Sequence, residues 1–149
     1  MTARRAILVG DVFAVRRPGA VPGALGTGDA EMLGRVVSTE AIVGPRHGCN
    51  LVYLYRLGAR PSPASLLLPP LLTTHAPWSR GYFEHLRSEP LLPGDLLPCH
   101  SFRDDKGRIY DEESRPLDAP CEPVGEWHLY DRVDLLELAV ARALAAAAS

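Results

Sequence analysis

The sequence has little that would tie it to a membrane, a metal or a nucleotide. No apolar run reaches the ~20 residues that a bilayer-spanning helix needs; the longest, around 66–72, is interrupted by Pro69 and Pro70. The opening MTARRAILVGDVF sets basic residues before only a few apolar ones ahead of Gly10-Asp11. That is too short for the core of a secretory signal and offers no small-residue cleavage site. These absences predict a cytoplasmic protein with no membrane partner. Cysteine is scarce: Cys49, Cys99 and Cys121 are an odd number and no two form C-x-x-C, so their spacing indicates neither a disulfide framework nor a zinc ribbon, and a reducing compartment fits. The glycine-rich stretch PGAVPGALGTGDA lacks G-x-x-x-x-G-K-[ST] and opens no clear helix, which makes it a loop rather than a phosphate cradle.

What is present is ordinary in bulk and uneven in detail. The chain has 149 residues, 46% apolar and 23% charged, enough for one domain over 1–149 with a real core. Its 14 prolines and 13 glycines make it turn often, favouring short strands over long helices. Net charge is −2, but residues 1–80 hold nine Lys/Arg against four Asp/Glu, and residues 81–149 hold seven against fourteen. Nucleic acid as the main ligand is disfavoured by this acidity, since phosphate binding needs a concentrated basic footprint. An acidic face, by contrast, steers a basic partner.

Hydrophobic patterning predicts an α+β fold: a strongly twisted, mostly antiparallel sheet of about five to seven strands, partly closed toward a barrel, with a C-terminal helix packed on it. The first strand runs from Asp11 to Arg17, between the flexible Gly10 and Pro18. A second covers Arg35 to Val43, ended by Gly44-Pro45. Glycines at 10 and 34 read as tight starts of two strands that pair across the loop. A third, Leu51 to Leu57, is apolar on both faces and therefore central. Five prolines across 61–77 exclude helix and leave edge strands near 66–68 and 71–74. Aromatics from Trp78 to Leu86 suggest another strand, and Phe102 to Tyr110 carries a hairpin signal, with Gly107 in the bulge. A short strand follows at Glu126 to Tyr130. Beyond it, Asp131 is set to cap a helix whose Val133, Leu136, Val140 and Leu144 form one packing stripe.

The search for chemistry is mostly negative. Cys99-His100 resembles a nucleophile beside a base, but strand neighbours point to opposite faces, so Cys99 would need His85 or His128 instead. His47, Cys49, Cys99, His100 and Cys121 offer nitrogen and sulfur in spacings that match no zinc motif. Asp104, Asp105, Asp111, Glu112 and Glu113 concentrate carboxylate without a calcium-loop pattern. Trp78 and Trp127 read as core or rim aromatics. No residue is assigned a catalytic role, and no cofactor or metal is expected.

GDVFAV at Gly10–Val15, then the loop, GRVV at Gly34–Val37 and the apolar strand NLVYLYRL at Asn50–Leu57 resemble the start of the immunity protein 26 family of bacterial polymorphic toxin systems. Trp-x-x-Gly-aromatic at Trp78–Phe83, Pro-Leu-Leu-Pro-x-Asp at Pro90–Asp95 and an aromatic strand beyond Pro98 extend the likeness over most of residues 8–130. The long insert from Arg17 to Met32 and the alanine-rich helix depart from the family pattern. The resemblance implies an intracellular, non-enzymatic protein, monomeric in the simplest reading, that binds a cognate toxin domain and covers its active site. Against a basic nuclease toxin, the five carboxylates from Asp104 to Glu113 would imitate phosphates and speed association. Two alternatives remain: a β-rich adaptor with an apolar groove lined by Tyr53, Tyr55 or Trp78, and a Cys99-dependent enzyme.

Overall fold

The structure is a computed structural model that describes residues 6–16 and 30–147. The predicted loop after Pro18 lies outside the described residues. Six strands form an open main sheet. In spatial order they are β5 (Phe83–Ser88), β1 (Asp11–Arg16), β2 (Ala30–Val43), β3 (Arg46–Leu54), β4 (Leu71–Thr73) and β9 (Leu129–Tyr130). All neighbours are antiparallel except β4 and β9, which run parallel. A second sheet has β6 (Ser101–Arg103) between β7 (Ile109–Tyr110), antiparallel to it, and β8 (Val124–Glu126), parallel to it. The α+β class and the C-terminal helix, α2 (Val133–Ala147), agree with the sequence reading. Among the described residues partial closure does not occur: β5 and β9 are the edges of the main sheet there.

The main sheet is covered on both faces, and the alternation along β3 shows how. Val52 and Leu54 join Phe13, Val15, Val36 and Leu71 in a core completed by Leu136 and Val140 of α2, with Val133 and Leu144 packed against it. The expected helical stripe is thus the one that docks. Cys49 and Leu51, from the other face, join Leu72, Ala41 and Phe102 under the second sheet, with Trp127 at the margin. The order is therefore helix, main sheet, second sheet. Because side chains alternate with period two, the double burial makes β3 buried and hydrophobic in every position from Leu51 to Leu54, and the run continues into Tyr55 beyond it.

Several local expectations change. Strand β2 begins at Ala30 rather than Arg35, so Gly34 is not a strand start but an interior residue paired with Phe13. A Cβ there would overlap the Phe13 ring and come within 2.8 Å of Leu54 Cδ2. The glycine exists to admit the aromatic ring. Gly10 does open its strand: its φ is +93°, its N–H donates to Val36 O at 2.8 Å, and its carbonyl accepts from Glu89 N at 3.0 Å. The proline-rich stretch contains a 3₁₀ turn at Pro63–Ser65 and one helical turn, α1, at Ala76–Ser79. Proline stands in the first turn of each, where a missing N–H leaves nothing unpaired. The expected strand at 126–130 is split at Trp127-His128, β8 going to one sheet and β9 to the other. Asp131 does not lie at the helix boundary; its carboxylate accepts the Thr74 hydroxyl at 3.0 Å, two residues ahead of α2.

The close approach at Gly34 generates a stability prediction. Gly34→Ala should lower the unfolding free energy by about 1–3 kcal/mol, the usual scale of overpacking, read as a fall in urea midpoint. An unchanged midpoint would show that the Phe13 ring relocates freely.

Candidate functional site

All five carboxylates singled out from the sequence lie in one region, around the second sheet. Strands β6 and β7 form the expected hairpin, pairing Phe102 with Tyr110 and Arg103 with Ile109. Its turn is held by Asp104, whose Oδ1 accepts from Lys106 N at 2.9 Å and Arg108 N at 2.8 Å, while Oδ2 accepts from Arg108 Nε at 2.9 Å. Gly107, with φ +82°, supplies the left-handed position. Seven residues later the same device recurs. Asp111 Oδ1 accepts from Glu113 N at 2.8 Å and Arg115 N at 3.0 Å, and Ser114 takes the left-handed conformation at φ 65°. Both turns read Asp-x-x-(Gly/Ser)-Arg, DDKGR and DEESR. Only the first was recognised from the sequence, because serine in place of glycine hides the second.

The second turn is anchored to the main sheet. Ile42 N donates to Glu112 O at 2.8 Å, Ser114 Oγ donates to Ile42 O at 2.7 Å, and Gly44 N donates to Ser114 Oγ at 3.1 Å. A polar relay reinforces the attachment from β3. Leu97 N donates to the buried Tyr53 hydroxyl at 3.1 Å, and that hydroxyl lies 2.5 Å from His100 Nε2. The Tyr53 oxygen thus meets a backbone amide on one side and the His100 ring on the other. Glu112 Oε2 is 3.3 Å from Nδ1, an ion-pair distance whose alignment falls short of a hydrogen bond. The neighbouring His100 holds the Glu112 carboxyl below its ordinary range, against the opposing pull of burial. Burial raises the Tyr53 phenol above its ordinary value. The order hydroxyl, imidazole, carboxylate is that of a hydrolase triad, but here the hydroxyl is fully buried and the relay joins β3 to the segments that carry β6 and β7.

The carboxylates consequently differ in availability. The Asp104 side chain is only 9% exposed and is committed to its turn and to Arg108. Its burial works against ionisation, but the Arg108 and Lys106 donors outweigh it and hold the carboxyl low. Asp111 is committed to its own turn, and Glu112 to His100. Glu113 pairs with Arg115 at 2.5 Å yet keeps 44% of its side chain in solvent, and Asp105 is exposed. Lys106, Arg108 and Arg115 offset three of the five acidic charges, so the region carries a local excess of two.

The cysteines revise the sequence reading. Cys99 and Cys121 form a disulfide that closes the loop carrying both turns. Ser101 backs it, its hydroxyl donating to Cys121 O at 2.8 Å and accepting from Cys121 N at 2.9 Å. Cys99 is therefore not a free thiol beside His85 or His128. Cys49 is the buried free thiol among the described residues, its pKa raised by burial. Among the described residues, no three His, Cys, Asp or Glu are grouped to hold a metal ion. No protein-family model, curated protein or solved structure matches the chain. The aromatic groove foreseen for an adaptor is not built from the expected residues: Tyr53 and Tyr55 are fully buried, and Trp78 packs edge-on against Phe13 and Phe83. Trp127 supports the hairpin, its ring centroid 4.8 Å from that of Tyr110.

Two measurements follow from this geometry. Because the folded-state pKa of Glu112 lies below its unfolded value, its contribution is complete above about pH 4.5 and is lost as pH falls through the folded pKa. Glu112→Gln should therefore lower stability at pH 7, with the gap to the parent narrowing as the solution is acidified. A pH-independent gap in urea titrations would assign the loss to packing. Replacing both Cys99 and Cys121 by serine should cost about 3 kcal/mol in a loop-entropy estimate, read by thermal or urea unfolding.

Proposed function

We propose that this protein is a non-enzymatic immunity protein that binds a cognate bacterial toxin domain and blocks it by covering its active site. The family resemblance motivates the reading, and the observation that supports it is the pair of matched Asp-x-x-(Gly/Ser)-Arg turns, each held by its own aspartate and the second also bonded to the main sheet. A surface whose loops are already ordered loses little conformational entropy on binding, so its contacts translate into affinity. A net acidic rim also draws a basic partner through long-range attraction.

Within this proposal the five carboxylates divide by exposure. Asp105 and Glu113 make the contacts, whereas Asp104, Asp111 and Glu112 position the backbone that presents them. Such a protein works in the cytoplasm of the toxin-producing cell. There the Cys99–Cys121 bridge meets a reducing poise, but the aspartate clasps hold each turn without depending on it.

Co-expression with the C-terminal toxin domain encoded by the adjacent upstream gene should restore cell growth and yield a complex that co-purifies. Asp105→Lys combined with Glu113→Lys should slow association about tenfold at low salt and flatten its salt dependence, while the unfolding midpoint stays near that of the parent. A harmless neighbour that does not co-purify would overturn the immunity reading. An unchanged association rate would move the interface away from these turns.

A further inference from the structure

The outer side of α2 borders a second feature, separate from the acidic turns. Helix residues Leu135, Leu138 and Ala139 lie on a stripe adjacent to the one that enters the core, and Leu135 and Leu138 remain 38% and 45% exposed. Across from them run the Leu68–Leu71 segment and strand β8, and between these walls is a groove of about 500 Å³. This size suits one small organic molecule. The wall is closely fitted where the strand passes: a Cβ on Gly125 would stand 2.6 Å from Pro70 O.

The polar groups lining the groove are Glu126, His128, Tyr130 and Arg142. Two of them are charged, the Glu126 carboxylate and the Arg142 guanidinium. The Tyr130 hydroxyl donates to Glu126 Oε2 at 3.2 Å, and the His128 ring stacks edge-on against Tyr130 at 4.5 Å. Burial, aided by Glu126 and opposed by Arg142, pushes the Tyr130 phenol up to about 12, so it stays a donor at neutral pH. Arg142 is exposed and has no hydrogen-bond or ion-pair partner among the described residues. In this apolar trough the Glu126 carboxylate already accepts the Tyr130 hydroxyl, whereas the guanidinium has no such partner among the described residues and offers the open position, where an apolar anion would bind it through two parallel hydrogen bonds.

We propose that the groove between α2, β8 and the Leu68–Leu71 segment binds one small amphipathic carboxylate, its apolar body against Leu135 and Leu138 and its carboxylate on Arg142. This site does not depend on the immunity reading.

Titration calorimetry with decanoate, decan-1-ol and decylamine below their self-association concentrations tests the assignment. Decanoate should bind with one molecule per chain and about tenfold more tightly than decan-1-ol, the scale of one charge-assisted pair. Arg142→Ala should bring the two within about threefold without changing the unfolding midpoint, since this side chain is exposed and unpaired. Leu138→Gln should weaken both ligands together. Equal binding of acid and alcohol, a preference for the amine, retention of the preference in Arg142→Ala, several molecules per chain, or no binding of any of the three would each overturn the proposal.

Discussion

Strand β3 is covered on two sides at once, and most of the architecture answers to that. From Cys49 to Tyr55 every residue is buried, one face meeting α2 and the other the second sheet. A slip of one position would exchange the two faces and bring Val52 and Leu54 beneath the small sheet, in place of Leu51 and Tyr53. Burial also creates an obligation. The Tyr53 hydroxyl is inside, where an unpaired polar group is costly, and the partners it finds are Leu97 N and His100. Meeting that requirement brings in the segment ahead of β6 and, through Glu112, the chain beyond β7.

The acidic turns show why a count of charges says little about a surface. Five carboxylates fall within ten residues, but three serve the chain's own backbone or imidazole. An aspartate that accepts two amides of its own turn exchanges freedom for order and gives up much of its capacity to bind something else. The two that remain exposed are displayed from a frame that the others hold still.

Much of this fold was legible in the sequence. β1 and β3 could be read because uninterrupted apolar residues between turn formers mark buried strands, and the α2 stripe because its spacing has a helical period. The hairpin was marked by Asp-Asp-Lys-Gly. What escaped depends on partners distant in the chain. Nothing beside Gly34 reveals that the Phe13 ring needs its missing side chain, and Trp127-His128 carries no sign that β8 and β9 part company there. Cys99 and Cys121 pair across 22 residues without a spacing motif, and Tyr53 meets His100 across 47. The acidic site was legible as composition, and its division into supporting and exposed carboxylates was not, since backbone amides supply the partners.

The parallel pairing of β4 with β9 bears on how the chain is made. β4 has only three residues, and one side of it pairs with β3, which is synthesised shortly before it. Its other side waits for Leu129 and Tyr130, which are made only after β5 to β8. Through that interval a nascent chain with β1 to β5 in place carries an open strand edge flanked by Leu71 and Leu72, the kind of template that recruits a neighbouring chain. The strand that seals this edge is thus made well after the strands it completes, so the exposure of that edge during synthesis is set by how soon β9 follows rather than by the strength of the strands already formed.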